Sequence, residues 1–164
     1  MKIGVIIIFH NNETEIDTNC FIKQIKQTPN LELCLVNNNS RDNTYNILEQ
    51  IKDQCTNVSV VNIRKFKSDV SAVRAGARFM YNNFNLDHLG YATTNLLNTN
   101  QHGLDGLIKA ISENQDLIME FNLENLKRRD IKLTLFKSLF SIVDYLKKLN
   151  VKNQFVNLQS LSKL

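Results

Sequence analysis

Residues Ile3 to Phe9 read Ile-Gly-Val-Ile-Ile-Ile-Phe, a run with no polar side chain. A strand with one face in water alternates polar and apolar residues; this β-branched and aromatic run does not, so it suits a strand buried on both faces. Burial on both faces requires layers above and below, which a parallel sheet covered by helices supplies. Two more apolar runs follow, Leu33–Val36 and Val58–Ile63. Between them lie helical patterns: about Ile16–Gln27, with Cys20, Phe21, Ile22 and Ile25 on one face and Pro29 closing it, and about Asn43–Gln54, with Ile47, Leu48 and Ile51. This alternation predicts an α/β fold with a mainly parallel sheet and right-handed crossovers.

In open α/β sheets ligands bind at the carboxyl ends of the strands. Here those ends are polar: His10, Asn11, Asn12 and Glu13 follow the first strand, and Asn37, Asn38 and Asn39 the second. Ser40 is expected to cap the helix after the second strand, with Asp42 in its first turn where the helix dipole favours an anion.

A chain of 164 residues that is 43% hydrophobic is expected to form one domain with its own core. No apolar run approaches the roughly 20 residues that span a bilayer, and the first run reads as a strand, not a signal peptide. Cys20, Cys34 and Cys55 show neither Cys-x-x-Cys nor zinc-ligand spacing, so they read as small buried hydrophobes in a reduced, cytoplasmic setting. The net charge of +4 is unevenly spread: residues 1–126 carry 11 basic and 14 acidic side chains, residues 127–164 carry 9 and 2. That basic end, with Lys127, Arg128, Arg129, Lys132, Lys137, Lys147, Lys148 and Lys152, is either a solvated helix face or a contact for an anionic membrane surface. No nucleic-acid partner is expected. Asn occurs 23 times, which weakens the meaning of any single Asn.

Val36-Asn-Asn-Asn-Ser-Arg-Asp-Asn-Thr44 resembles the Val-Asp-Asp-Gly-Ser-x-Asp-x-Thr segment of family-two glycosyltransferases, nucleotide-sugar enzymes of the GT-A fold. Ser40, Asp42 and Thr44 match, while Asn37 and Asn38 replace the leading acids. Two further places resemble the same family. Its first strand ends in Pro-x-aromatic-Asn at the nucleobase; here Ile8 replaces the Pro, His10 stands at the aromatic position and Asn11 matches. Its Ala-x-Asn-x-Gly helix appears as Ala72 and Gly76, with Arg74 at the Asn position. The resemblance implies a three-layer α/β/α GT-A-like fold. Residues 1–115 would form the nucleotide-sugar-binding half and residues 116–164 a short basic helical part. It implies a nucleotide-sugar partner held by His10, Asn11, Asn37, Asn38, Asp69 and Arg74, Asp69 being included as an acid just before the Ala-x-x-x-Gly helix. An Asn amide can still pair with a nucleobase edge, and the plain loop-residue reading stands beside that one.

Leu89–Leu97 aligns with the family strand that ends in Asp-x-Asp, whose carboxylates hold a divalent cation. Here Thr93-Thr94-Asn95 stands there. Mg²⁺ and Mn²⁺ prefer anionic oxygen, so neither is expected at Thr93 and Asn95. The family's catalytic base lies in an acidic pair of the later half, and after Glu124 only Asp130 and Asp144 remain, so no catalytic residue is assigned. There is no Gly-rich P-loop, Gly-x-Ser-x-Gly or His-Glu-x-x-His.

His102–Glu113 is expected to be a helix, Asp116–Phe121 a strand, and Ile131–Leu149 a long helix with Leu135, Leu139, Ile142, Leu146 and Leu149 in one stripe, able to pack on a core, a second copy or another protein. Asp144 is expected to face solvent or pair along that helix. From Asp116 onward the chain is more distantly similar to polyprenyl-phosphate sugar transferases, with Phe155 the main residue kept. Two functions follow: transfer of a sugar from a nucleotide-sugar donor to an acceptor by inverting displacement, or a catalytically silent homologue acting as a nucleotide-binding or protein-interaction module.

Overall fold

The run Ile3–Phe9 forms β1, the centre of the sheet, and all seven residues are buried. The computed structural model describes residues 2–97, 103–128 and 138–151. Around β1 the chain builds α1 (Thr18–Lys26), β2 (Leu31–Asn38), α2 (Thr44–Gln54), β3 (Val58–Ile63), α3 (Asp69–Asn83), β4 (His88–Thr93), α4 (Gly103–Glu113), α5 (Gln115–Lys127), β5 (Phe140–Ser141) and α6 (Ile142–Lys148). Single 3-10 turns follow β1 at Glu13–Glu15 and β4 at Thr94–Leu96. The strand order is β3-β2-β1-β4-β5, and every pairing is parallel. This is the three-layer α/β/α arrangement that the resemblance implies.

Alternation along β1 divides the core in two. Ile3, Val5, Ile7 and Phe9 pack with α1, α2, α4, α5 and α6 on one side, through residues such as Phe21, Leu48, Leu107, Ile118 and Leu146. Ile6 and Ile8 pack with Ala72, Val73, Ala77 and Met80 of α3 on the other. Only α3 among the described helices lies on that second side, and its small residues let it lie close. A Cβ on Gly76 would come within 2.7 Å of Ile6 Cγ2 and 3.1 Å of Val36 Cγ2.

Four expectations are corrected. Asp116–Phe121 is not a strand but part of α5, because Ile118, Met119 and Asn122 fall on one buried helical face; a short apolar run does not by itself distinguish helix from strand. The expected helix 131–149 is broken where it is described: Phe140–Ser141 pairs with Gly90–Tyr91 as β5, and Ser141 then caps the seven-residue α6 by accepting the Asp144 N–H. Residues 131–137, with Leu135, Lys132 and Lys137, lie outside the described residues, as do Arg129, Asp130, Lys152 and Phe155. Ser40 does not cap α2, whose N-cap position is Asn43. Cys20 is exposed, unlike the buried Cys34 and Cys55; burial pushes the Cys34 thiol up to about 12. Asp144 faces solvent, as expected. No helix among the described residues is long and apolar enough to cross a membrane.

One buried polar chain ties the later helices to the sheet. Asn122 Nδ2 donates to His88 Nδ1 (2.9 Å) and Tyr145 Oη donates to Asn122 Oδ1 (2.8 Å), linking β4, α5 and α6. That bond places the His88 proton on Nε2, which is buried without a partner among the described residues. Burial lowers the His88 pKa from its ordinary 6.5, against the opposing pull of Asp87.

Two outcomes are expected. Gly76→Ala should destabilise the protein by about 1–3 kcal/mol, because rigid β-branched neighbours meet the new methyl, outweighing the gain of up to about 1 kcal/mol in helix propensity; urea unfolding measures it. With the folded-state pKa of His88 depressed, the unfolded chain binds the proton first, so stability falls as pH drops below 6.5. In His88→Phe the slope of stability against pH should flatten in that window, read by thermal melts.

Candidate functional site

The chain runs outward from β1 through β2 to β3, then returns to place β4 on the other side of β1. Strand order therefore reverses between β1 and β4, and a crevice opens at their carboxyl ends. A cavity of about 470 Å³ lies there. Its wall includes His10, Asn11, Asn38, Asp69, Thr93 and Asn95. Six of the eight residues singled out from the sequence thus meet in one place. The other two do not line it: Arg74 borders an adjoining cavity of about 210 Å³. Asn37 ends β2 buried, its Nδ2 donating to Asn62 Oδ1 at 2.9 Å while its Oδ1 is buried without a partner among the described residues.

Asparagine side chains hold this end of the sheet by replacing backbone pairing. Asn38 Oδ1 accepts the Lys67 N–H at 3.0 Å and its Nδ2 donates to the Lys67 carbonyl at 2.8 Å, fixing the loop between β3 and α3. Asn11 Oδ1 accepts the Arg41 N–H at 2.7 Å, and the Asn11 N–H donates to Ser40 Oγ at 3.0 Å. This bond is the work Ser40 does in place of capping. Asn11 and Asn39 have φ of 53° and 51°, the left-handed region that Asn tolerates better than most residues. Asn39 stands where the family segment has its Gly, and its positive φ is the reason a Gly or an Asn belongs there.

His10 Nδ1 donates to the Asn38 carbonyl at 2.7 Å and its Nε2 accepts from Asn11 Nδ2 at 3.1 Å, so the ring and its tautomer are set from both sides. Its centroid lies 4.8 Å from that of Phe66, with the planes tilted by 60°. Phe66 is 57% exposed at the cavity mouth. Sequence reasoning missed Phe66 and Glu15, and it noted Asn12 and Thr94 only as neighbours of the candidate residues. Phe66 meets His10, and Thr94 meets Asn12, across a long stretch of chain that no local pattern shows, whereas the Asn12–Glu15 bond is local. Asn12 Oδ1 accepts from Thr94 Oγ1 at 3.1 Å and from the His10 N–H at 2.7 Å, and its Nδ2 donates to Glu15.

Asp42 is the acid kept from the family segment, and it serves the framework. Its carboxylate accepts from the Thr44 N–H (3.0 Å) and hydroxyl and from the Glu13 N–H (3.1 Å), joining β1's exit to the start of α2. Burial alone would raise its pKa, but these donors hold it below its ordinary 3.8.

Residues 4–84 match the family model described as glycosyl transferase family 2. The chain resembles the family-two glycosyltransferases. Three solved structures of S. aureus TarS, residues 1–349, are similar to it, two of them complexes with UDP and with UDP-GlcNAc. Each is 20% identical and covers 70% of this chain, with TM-scores of 0.45, 0.46 and 0.46. The chain spans about a third of the length of these structures, 33%, 33% and 32%. No curated protein matches it.

Thr93 and Asn95, where the resemblance would put metal ligands, do not suit a divalent cation. Thr93 offers a hydroxyl and Asn95 an amide, neither anionic, and among the described residues no group of three His, Cys, Asp or Glu could hold a metal ion. The carboxylates that line the cavity are Glu15, which takes the Asn12 amide, and Asp69, exposed in the first turn of α3 after the capping Ser68.

Asp42→Ala should cost about 1–2 kcal/mol by stranding three donors. Because the folded-state pKa lies below the unfolded one, the Asp42 contribution is complete above 3.8 and fades as pH falls through the lower folded value. Acid titration of Asp42→Asn, followed by far-UV circular dichroism, should lack that final loss.

Proposed function

We propose that this chain is a glycosyltransferase-type domain that takes a nucleotide-sugar donor in the cavity between the ends of β1 and β4, without a divalent cation. The observation that carries the reading is the paired ring surface of His10 and Phe66 at the cavity mouth, 4.8 Å apart. It sits at the reversal point of a sheet whose residues 4–84 match the family-two model. A nucleobase has a π-face, and aromatic side chains at an exposed edge hold it by stacking. The reaction is transfer of the sugar to an acceptor hydroxyl by inverting displacement.

A second reading is favoured by one specific feature, the neutral Thr93 and Asn95 at the position of the family's metal ligands. Without charge there, the chain is a homologue that binds the nucleotide and does not transfer, serving as a binding or assembly module. The two readings share the cavity and part only at the chemistry.

Calorimetric titration with UDP, GDP and their sugars, with and without Mn²⁺, tests both. Binding that Mn²⁺ changes by less than about threefold is expected. His10→Ala and Phe66→Ala should each weaken it about 5- to 30-fold, the loss of roughly 1–2 kcal/mol of stacking. Binding that requires Mn²⁺, or that ignores both aromatic substitutions, refutes the proposed site. Release of nucleoside diphosphate from a bound nucleotide sugar then separates transferase from silent binder.

A further inference from the structure

The cavity beside the donor cavity, about 210 Å³, has a different chemistry. Val70 and Val73 of α3, Tyr91 of β4 and Leu139 ahead of β5 give it apolar walls, and Val70 is 63% exposed at its rim. Arg74 completes it. Two residues, Asp69 and Thr93, line both cavities, so they stand at the junction. Asp69 is the carboxylate that faces both spaces. Glu15 lines only the larger one and is engaged by Asn12, and Asp42 is engaged by Thr44 and Glu13.

Exposed Val70 beside buried Val73 is an arrangement that an apolar body would cover. Sugars and free polyols gain little from such walls; an alcohol carried on an alkyl or other apolar group buries area there. A hydroxyl at the polar end of that occupant would reach the junction with the donor cavity. The carboxylate at that junction is suited to accept a proton from it.

We propose that this second cavity is the acceptor subsite, that it takes an alcohol borne on an apolar body, and that Asp69 is the base for the transfer. The inference rests on the donor reading above. In the step, the acceptor oxygen bonds to the anomeric carbon of the sugar. The bond from that carbon to the diphosphate oxygen breaks, its electron pair leaving with the nucleoside diphosphate. The hydroxyl proton passes to the Asp69 carboxylate.

The full chain, labelled at its Ile, Leu, Val and Thr methyl groups, tests this by NMR. UDP is the donor-side probe, read at Ile8, Thr93 and Thr94. Octyl β-D-glucopyranoside is the acceptor-side probe, below its micelle-forming concentration, with glucose as control. The alkyl glucoside is expected to shift Val70, Val73 and Leu139 in the UDP-saturated protein, and glucose is not. Equal shifts with glucose, or none at those methyls, overturn the subsite. Failure of UDP to shift its own methyls is a separate result that strikes the donor reading. Nucleoside diphosphate release from UDP-sugars should rise at least tenfold with the alkyl glucoside. Asp69→Asn, isosteric and on the surface, should keep both sets of shifts and lose that stimulation. Stimulation retained in Asp69→Asn, or absent in the native chain while the shifts occur, overturns Asp69 as the base.

Discussion

β1 has no side that faces water, and the remainder of the molecule follows from covering it. Its odd residues draw α1, α2, α4, α5 and α6 to one side, and its even residues draw α3 to the other. Because β1 is also central in the strand order, its carboxyl end is where the chain's two directions of winding part. The same strand that demands two layers therefore fixes where a ligand crevice forms. Burial and site placement are here a single constraint, and His10 to Asn12 are its polar outcome.

What holds the crevice in shape is a set of side-chain bonds to backbone. Asn38 imitates a strand neighbour for Lys67, Asn11 does the same for Arg41, and Asp42 collects donors from α2 and from the turn after β1. Such groups need a polar atom at the correct distance and little charge. Where the partner offers both a donor and an acceptor, as Lys67 does, an amide meets both and an ionised carboxylate, which can only accept, does not. Where all partners are donors, as around Asp42, a carboxylate is required. This difference accounts physically for which acid of the family-like segment stands as an acid and which position tolerates Asn.

The legibility of the chain follows the range of the interactions involved. β1, β2 and β3 and the helices between them were readable because apolar periodicity is local, although β2 extends to Leu31 and Asn38 beyond the apolar core of its run. The strand ends that meet at the crevice were readable for the same reason. Past Asp116 the sequence misled: Leu117-Ile118-Met119 satisfies a strand pattern, and only packing of Ile118 and Met119 against the core makes it helix. Phe140 and Ser141 likewise fit a continuous helical stripe, and pairing with Gly90 and Tyr91 overrides it. Phe66 carried no periodic signal, since its place beside His10 depends on the loop that Asn38 ties down.

The unequal helix layers bear on the chemistry of the crevice. Among the described residues five helices crowd one side of the sheet and α3 covers the other, where it crosses mainly β1 and β2. Among the described residues that side of β4 is left to Tyr91 and Leu139, which with the N-terminal turn of α3 line the smaller cavity. Val70 is exposed there because no described element covers it, and Asp69 is exposed for the same reason. Placed between a polar cavity and an apolar one, Asp69 stands where a diphosphate's charge and an acceptor's proton would have to be kept apart. In the proposed reaction Thr93 and Asn95 bring no charge to the donor cavity, and Asp69, at the junction, faces the acceptor side as well as the donor side.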